Sequence, residues 1–482
     1  MSTEGSRQHP VVPTGWGPVR GERRADGSVR FLGIPYAQPP VGELRFAAPV
    51  PPRPWTEVLD ATAYGPTAQR RPFGEVTTIP EPTVPGADIL NLNVFTPDLA
   101  PAAGLPVLVW IHGGGFVAGC SASPWYDGAA FNRDGVVVVS IGYRLGIEGF
   151  LHLPDAPDNR GVRDWIAALE WVRDNITSFG GDPAKVTVAG QSAGGGAVQT
   201  LLATPSAQGL FRAAISVSGA VMRPQDRATV EAVSRTLTAR TGVPATAAAL
   251  RDLSDENLLD LQDALSGAGP DGDTLPALSL APFADGELVP LPGPEALPDT
   301  EIPLLLGFTA HEFASPAEDG DAETEDELRG LLGALGLDER GVARFLTEHP
   351  GANGGDAITD WLFRAPALAI AEARAERGRP TWLYQFDWSG TAPGRAGQAY
   401  HCIDLPFAFD LLDAEGVAAA LGTEPPQALA DAVHGAWVAF VRDLDPGAAW
   451  PAYRDGRATM RWHAEPRVER DPLRGVRDIW LS

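Results

Sequence analysis

Ser192 is the residue of this chain whose surroundings best suit nucleophilic chemistry. It is the central residue of a Gly-Gln-Ser-Ala-Gly pentapeptide at 190–194. Residues 186–189 are rich in β-branched side chains and alanine and predict a short buried strand, and residues 197–202 are compatible with a helix. A serine on a sharp turn between a strand and a helix presents its hydroxyl above the sheet, and glycines there avoid collisions with neighbouring chain. An ordinary Gly/Ser loop can carry the same five residues, so the rest of the chain must decide.

A second glycine-rich segment could supply hydrogen-bond donors to a negatively charged oxygen. Residues 112–116 read His-Gly-Gly-Gly-Phe and follow an apolar run at 107–111 that predicts a buried strand. Consecutive glycines let backbone N–H groups turn toward a ligand without side chains in the way. A flexible loop is the alternative, which the strand leading directly into the segment disfavours. We expect the N–H groups of Gly114, Gly115 and Ala193 to form an oxyanion hole.

A serine nucleophile also needs a base, which is most often a histidine. The chain has 8 histidines. His401 follows a loop rich in glycine and alanine at 394–399, and a loop histidine after a late strand suits the role. The others have less suitable contexts and stand at positions 9, 112, 152, 311, 349, 434 and 463. The residues alone therefore favour His401, without deciding against every other histidine.

The elements that must position these groups follow an α/β pattern. Apolar runs predict strands at 91–95, 107–111, 136–141, 186–189, 213–217, 302–306 and 381–386. Apolar residues from 162 to 176 recur at steps of three and four and predict a helix. Alternating strands and helices indicate a central, mostly parallel sheet with helices on both faces. Ligands bind such sheets at the carboxyl ends of the strands, where Ser192 falls.

The remaining segments predict scaffold and insertions. Residues 1–65 suggest antiparallel strands and turns, and no linker long enough to separate domains is present. We therefore expect one domain over 1–482, with helical insertions at about 222–300 and 313–375 that form a lid or rim. Thr324 and Glu327 predict a helix capping box, and the acidic run at 318–327 is interpreted as a solvated helix start. Because no cluster has metal-ligand spacing, we expect neither a metal nor a cofactor.

The composition of the chain limits the kinds of molecule that it can bind. A formal net charge of −25 argues against binding to nucleic acid or to an anionic membrane. No signal-peptide pattern and no apolar run of about 18 residues appears. Cys120 and Cys402 are too few for a disulfide framework. We expect a cytoplasmic protein that acts on a small molecule, with no nucleic-acid or membrane partner, as a monomer or small homo-oligomer.

Together these features resemble a type-B carboxylesterase of the α/β-hydrolase fold, the group that includes cholinesterases and bacterial p-nitrobenzyl esterases. Further segments resemble the family's motifs: Gly-Ile-Pro-Tyr-Ala at 33–37, Leu-Asn-Val at 92–94, Tyr-Arg-Leu-Gly at 143–146, residues 175–183, and Phe-Ala-Asp-Gly-Glu at 283–287. The similarity extends from about residue 14 to residue 455. Such ordered agreement over nearly the whole chain is very specific.

The resemblance implies the remaining site residues. Glu312 has the family's Gly-x-x-x-x-Glu spacing from Gly307 and takes the place of the acid. His401 takes the place of the family histidine. Ser218 resembles a serine that supports the acid.

Other groups compete for these roles. Asp404 and Asp285 are the alternative carboxylates, and by the family pattern Asp404 is a structural residue after the histidine. Cys402 adjoins His401, but it lies neither on a sharp turn between a strand and a helix nor at the start of a helix, so we do not expect it to be the nucleophile.

The chain also departs from the family pattern. His311 and Phe313 flank Glu312 where the family usually has aspartate and glycine. Gln191 stands where glutamate is common, which removes a charge beside the nucleophile and predicts an altered pH profile. Ile89 stands where secreted relatives have a cysteine, in agreement with an intracellular bacterial-type enzyme.

The function implied is hydrolysis of carboxylic esters by a Ser-His-Glu triad through an acyl-enzyme, on short- to medium-chain or aryl esters. The alternatives are a non-catalytic binding protein on the same fold and a specialised hydrolase of carbamates, amides or bulky esters. Variable loops at 70–87, 220–290 and 310–375 would form the substrate pockets.

Overall fold

The chain is arranged around an 11-stranded sheet. The computed structural model describes residues 9–72, 77–219, 225–266, 275–276, 278–290, 297–313 and 324–481. The strands are β1 Val11–Pro13, β2 Pro18–Arg20, β3 Glu22–Arg23, β4 Val29–Pro35, β5 Leu59–Asp60, β6 Asn91–Thr96, β7 Leu105–Ile111, β8 Val137–Ile141, β9 Gly181–Gln191, β10 Ala213–Val217, β11 Leu304–Thr309, β12 Thr381–Phe386, β13 Ala458–Trp462 and β14 Arg467–Arg470. The large sheet has the order β14-β13-β12-β11-β10-β9-β7-β8-β6-β4-β3, and β1, β2 and β5 form a separate small sheet.

The middle of the large sheet is parallel and its edges are antiparallel. Strands β8, β7, β9, β10, β11, β12 and β13 pair in parallel. Strand β14 pairs antiparallel at one edge, and β6, β4 and β3 do so at the other. The prediction of a mostly parallel α/β sheet is confirmed.

Both faces of the sheet are buried. Along β7, Val107 and Val109 lie in one cluster of buried residues, whereas Leu108 and Trp110 lie in the other. Successive side chains of a strand point to opposite faces, so a strand covered on both sides must be largely apolar. This explains why the central strands appear in the sequence as continuous apolar runs.

Helices cover the two faces. They are α1 Ala129–Arg133, α2 Gly146–Phe150, α3 Arg160–Asn175, α4 Ala193–Ala203, α5 Arg227–Thr241, α6 Ala247–Leu250, α7 Asp255–Asp263, α8 Glu325–Ala334, α9 Glu339–Glu348, α10 Gly354–Thr359, α11 Ala365–Glu376, α12 Leu405–Ala408, α13 Val417–Leu421, α14 Gln427–Asp443 and α15 Arg474–Trp480, with a π-helical turn at Asp360–Arg364. Trp165 on α3 packs in the first cluster and Trp437 on α14 in the second. None of these helices has both the length and the apolar character needed to cross a membrane.

Most predicted elements lie close to their predicted positions. Strands β10 and β12 coincide with the predicted runs, and the capping box between Thr324 and Glu327 is present at the start of α8. Strand β9 begins at Gly181, earlier than predicted, because its first residues pair with Leu105 across a register shift that an apolar pattern does not reveal.

The single-domain organisation with two helical insertions stays a prediction. Helices α5 to α7 lie in the first proposed insertion and α8 to α11 in the second. Residues 318–323 of the acidic run lie outside the described residues, as do residues 73–76, 220–224, 267–274, 277 and 314–323 of the segments predicted to form the substrate pockets.

Candidate active site

Four neighbouring strands end at the same edge of the sheet, and each is followed by a residue singled out from the sequence. Ser192 follows β9, Ser218 follows β10, Glu312 lies just beyond β11, and Gly114 lies just beyond β7. These strands are parallel and adjacent in the order β7-β9-β10-β11. Carboxyl ends of adjacent parallel strands lie side by side, so the topology gathers residues that are far apart in sequence.

Ser192 occupies a strained turn. Its backbone angles are φ 57° and ψ −124°, a left-handed conformation that costs energy for a residue with a side chain. Its N–H donates to the carbonyl of Val217 over 2.8 Å, which ties the turn to β10. A Cβ at Gly194 would lie 2.0 Å from the carbonyl oxygen of Ile111, so only glycine fits there. The strand-turn-helix context predicted for the pentapeptide is therefore present.

Glu312 is fully buried and holds one nitrogen of His401. Its Oε2 lies 2.5 Å from Nδ1 of His401, and its backbone carbonyl accepts from the His401 N–H at 2.9 Å. Its Oε1 accepts from the Ser218 hydroxyl at 2.7 Å and from the Thr309 N–H at 2.8 Å. With Nδ1 donating to the carboxylate, the neutral imidazole has its lone pair at Nε2.

The charge on His401 depends on these neighbours. Burial by itself lowers the pKa of the imidazole, but Cys402 and Glu312 beside it more than offset this and raise the pKa of His401 well above its ordinary value. A buried carboxylate next to an imidazole favours the protonated ring.

Nε2 of His401 contacts the side chain of Gln191. The side-chain nitrogen of Gln191 lies 3.0 Å from Nε2 of the imidazole. Within the described part of the chain, the Ser192 hydroxyl forms no hydrogen bond, to His401 or to any other group. The Gln191 amide nevertheless lies alongside the serine, because a Cβ built on Gly113 would be 3.0 Å from Gln191 Oε1 and 3.1 Å from Ser192 Cβ. The sequence indicated a changed charge at position 191, and the direct contact with His401 was not predicted.

Three backbone N–H groups in the segments after β7 and β9 have no acceptor among the described residues. Among the described residues, the N–H groups of Gly114, Gly115 and Ala193 donate to no other group. Ala193 is the first residue of α4, where N–H groups lack intrahelical partners. Gly114 has φ 110°, and a Cβ there would lie 2.2 Å from the carbonyl oxygen of Ala118. These groups are available to a developing negative charge.

Two aromatic rings flank His401. Phe313 stacks on the imidazole with centroids 4.9 Å apart and planes at 28°, and Phe363 lies 5.4 Å from it. Phe313 appeared in the sequence as a departure from the family pattern. Phe363 was missed, since it lies in a helical segment with no motif.

The other candidate carboxylates and the second cysteine have different surroundings. Asp404 accepts from the Tyr384 hydroxyl at 2.8 Å, and burial raises the pKa of Asp404 to about 7. Asp285 accepts from the Asn159 side chain at 2.8 Å. The carboxylate hydrogen-bonded to the His401 ring is thus that of Glu312. Cys402 is a buried free thiol.

Two other histidines are held by neighbouring groups. Nδ1 of His112 lies 2.8 Å from the carbonyl of Gly113, and burial lowers the pKa of His112 to about 3. His434 lies between the carbonyl of Ala408 and the carboxylate of Asp134. Across the described ranges, no three His, Cys, Asp or Glu side chains come together in a way that could hold a metal ion.

Comparison with known proteins gives a consistent result. The model of the carboxylesterase family matches residues 8–330 and 347–476. The para-nitrobenzyl esterase of Bacillus subtilis is 38% identical, over 96% of this chain and 97% of its own length. The phenmedipham hydrolase of Pseudarthrobacter oxydans is 34% identical, over 89% of this chain and 90% of its own. A solved PNB esterase structure superposes with a TM-score of 0.85 at 35% identity, covering 98% of this chain and 99% of that one. The resemblance inferred from the sequence is thus confirmed: the chain belongs to the carboxylesterase family and is an ester hydrolase of the α/β-hydrolase fold.

Proposed function

We propose that this carboxylesterase uses Ser192 as nucleophile, His401 as general base and acid, and Glu312 as the orienting carboxylate. The observation that carries the proposal is the 2.5 Å contact between Glu312 Oε2 and Nδ1 of His401, which leaves Nε2 facing the side chain of Gln191, the residue before Ser192. Glu312 holds the tautomer in which Nε2 can accept a proton and stabilises the imidazolium that results.

The reaction begins when Nε2 exchanges the Gln191 amide for the hydroxyl of Ser192. His401 accepts the serine proton as Oγ attacks the ester carbonyl. The N–H groups of Gly114, Gly115 and Ala193 then receive the oxyanion. As the tetrahedral intermediate collapses, His401 protonates the leaving alcohol and Ser192 carries the acyl group. Water, deprotonated by His401, then attacks the acyl-enzyme. As the second tetrahedral intermediate collapses, the acid leaves and His401 returns the proton to Ser192 Oγ, which restores both residues.

The proposed substrates are short- to medium-chain or aryl esters. The Bacillus relative's name, para-nitrobenzyl esterase, supports small esters with an aromatic group. A specialised hydrolase is the second candidate, and the relative named phenmedipham hydrolase favours it. Both candidates use the same residues, and a substrate panel that includes phenmedipham separates them.

We propose that the enzyme acts in the cytoplasm as a monomer or small homo-oligomer, on a small molecule and without a nucleic-acid or membrane partner. Two buried free cysteines support a reducing compartment, and the net charge of −25 supports the absence of anionic partners.

The catalytic assignment is tested by labelling and turnover together. A fluorophosphonate probe is expected to label the wild type and not Ser192→Ala, and hydrolysis of p-nitrophenyl butyrate is expected to fall by a factor on the order of 10⁴ or more. Cys402→Ala is the matched control, because it removes the thiol beside His401 and is expected to keep labelling at Ser192. Turnover retained by Ser192→Ala would refute the assignment, and so would the absence of labelling in the wild type, which would favour a binding protein.

A further inference from the structure

The glycine-rich segment after β7 is held at its far end by a glutamate from a different loop. The N–H of Gly119 donates to Oε2 of Glu81 over 3.0 Å, although the two residues are 38 positions apart. The side chain of Glu81 is only 15% exposed. Glu81 belongs to the segment at 70–87 that the sequence assigns to the substrate pockets. This hydrogen bond therefore joins a loop of the substrate pockets to the segment that carries the proposed oxyanion donors.

Arg70 fixes the position of Glu81. Nε of Arg70 donates to Oε2 of Glu81 at 3.1 Å, and Nη2 donates to the Glu81 carbonyl at 2.9 Å. The same guanidinium donates to the carbonyls of Ala68 and Pro82, and its side chain is buried. Hydrogen bonds from a planar guanidinium to a carboxylate are strong and directional. The carboxylate thus reaches Gly119 from a rigid support.

Gly119 lies against the start of its own segment. A Cβ at Gly119 would be 2.2 Å from the carbonyl oxygen of Gly113 and 2.6 Å from Nδ1 of His112. Four of the seven residues at 113–119 are glycine, and glycine restricts its own backbone least of all residues. Such a segment needs contacts from outside to keep one conformation. Glu81 supplies one of these contacts at the point where the two ends of the segment meet.

We propose that Glu81 is a positioning residue for the oxyanion hole. By accepting from the Gly119 N–H, it holds the glycine-rich segment in the conformation in which the N–H groups of Gly114 and Gly115 are free to donate. This rests on the proposed role of those two groups. Donors stabilise the transition state only when they lie about 2.7–3.1 Å from the position that the oxyanion takes. Glu81 therefore acts on the reaction through the backbone of the segment.

The test compares the affinities of the enzyme for a trifluoromethyl hexyl ketone and for the corresponding carbinol. With the ketone, Ser192 Oγ bonds to the carbonyl carbon, the serine proton passes to His401, and the carbonyl oxygen becomes an oxyanion that needs the donors. The carbinol has the same chain and no carbonyl, so it binds without forming this adduct. We expect the wild type to bind the ketone at least about 10²-fold more tightly, as for analogues of a transition state.

Two variants isolate the acceptor at position 81. Glu81→Met and Glu81→Gln are similar in size and both uncharged, but only glutamine keeps an oxygen that can accept from Gly119. We expect Glu81→Met to lower the preference for the ketone, and kcat/KM for p-nitrophenyl butyrate, by the same factor of about tenfold or more, because displaced donors lose part of their effect. Its affinity for the carbinol should not change. Glu81→Gln should keep most of the preference and of the activity.

Thr67→Val is the control for a general loosening of the loop. It removes the hydroxyl that accepts from the Val84 N–H at 3.1 Å, far from Gly119 in the chain, and should leave the preference for the ketone unchanged. Thermal unfolding verifies that each variant is folded, and Glu81→Ala replaces Glu81→Met if the latter does not fold.

The outcomes separate this proposal from the catalytic assignment. A preference for the ketone that survives in Glu81→Met would overturn the role of Glu81. So would a loss of the preference in Glu81→Gln, or equal losses in Thr67→Val and Glu81→Met. If the wild type itself binds the ketone no more tightly than the carbinol, the proposed attack by Ser192 and the oxyanion hole fail instead, whatever the variants do.

Discussion

The side-chain nitrogen of Gln191 lies 3.0 Å from Nε2 of His401, the ring nitrogen opposite the one that meets Glu312. A donor at this nitrogen stabilises the neutral imidazole, since a protonated Nε2 has no lone pair to accept with. Glu312 acts in the opposite sense, because its negative charge favours the protonated ring. The two side chains therefore bias the protonation of His401 in opposite directions.

Replacing Gln191 by glutamate should change the pH dependence of activity. A carboxylate at Nε2 stabilises the imidazolium and raises the pKa of His401, and the base must be neutral to accept the serine proton. As the pH is lowered, the variant therefore loses activity at a higher pH than the wild type does. We expect the midpoint of this acidic limb in the pH profile of kcat/KM to rise by about one pH unit. The pH dependence of p-nitrophenyl butyrate hydrolysis measures this midpoint. Gln191→Met, of similar length and uncharged, should shift the midpoint much less, and an unmoved midpoint in Gln191→Glu would contradict the contact.

The hydrogen bond from Ser218 should support catalysis through Glu312. Ser218→Ala removes the 2.7 Å donor to Glu312 Oε1, which leaves a buried carboxylate with fewer partners and a less firmly held His401. We expect kcat/KM to fall by about tenfold with KM little changed, as for the loss of one hydrogen bond to a charged group. Ser234→Ala is the control, because it removes another buried hydroxyl, one bonded to the His152 carbonyl. Equal losses in the two variants would argue for a general effect on packing.

The glycine at 194 should be required for full stability of the fold. In Gly194→Ala the new Cβ would lie 2.0 Å from the Ile111 carbonyl oxygen, a backbone atom of central strand β7 that cannot move aside. We expect a loss of about 3 kcal/mol or more in the free energy of unfolding. Gly330→Ala is the matched control, since Gly330 is exposed on α8 with nothing within 4 Å of its Cβ position. That variant should gain about 0.5–1 kcal/mol. Denaturant unfolding measures both, and a stable Gly194→Ala would show that the turn can relax.

The parts of the fold that could be predicted from sequence are those with a local pattern. Strands β10 and β12 were located because a buried parallel strand must be apolar on both faces. Ser192 and the glycines after β7 were located because a tight turn and a close backbone approach leave few residue choices. Each signal lies within a few neighbouring positions.

The parts that escaped prediction depend on contacts between distant segments. Gln191 and His401 are 210 positions apart, and nothing in either segment specifies their contact. Phe363 contacts His401 through a helical turn whose apolar residues resemble any core segment. Contacts of this kind depend on how loops fold over the end of the sheet, which local periodicity does not encode.

Removing one partner of a buried ion pair should lower stability strongly. Arg144, just after β8, and Asp164, on α3, are both fully buried, with 2.6 Å between Arg144 Nη2 and Asp164 Oδ1. The Arg144 guanidinium also donates to the carbonyls of Arg45 and Ala47, so one side chain links the N-terminal segment, the sheet and α3. Asp164→Asn leaves the guanidinium buried without its counter-charge, and we expect it to lose about 3–5 kcal/mol in free energy of unfolding.

An exposed ion pair serves as the control for the buried pair of Arg144 and Asp164. Glu325 and Arg329 are paired at 2.7 Å on the surface of α8, and Glu325→Gln should cost at most about 0.5 kcal/mol, since solvent screens the charges. A double variant, Arg144→Met with Asp164→Leu, removes both charges, and we expect it to be more stable than Asp164→Asn alone, because the cost arises from the unpaired charge rather than from the lost attraction. Unfolding in urea at constant pH compares the three proteins. If Asp164→Asn were as stable as Glu325→Gln, the guanidinium of Arg144 would have to be adequately held by backbone carbonyls alone.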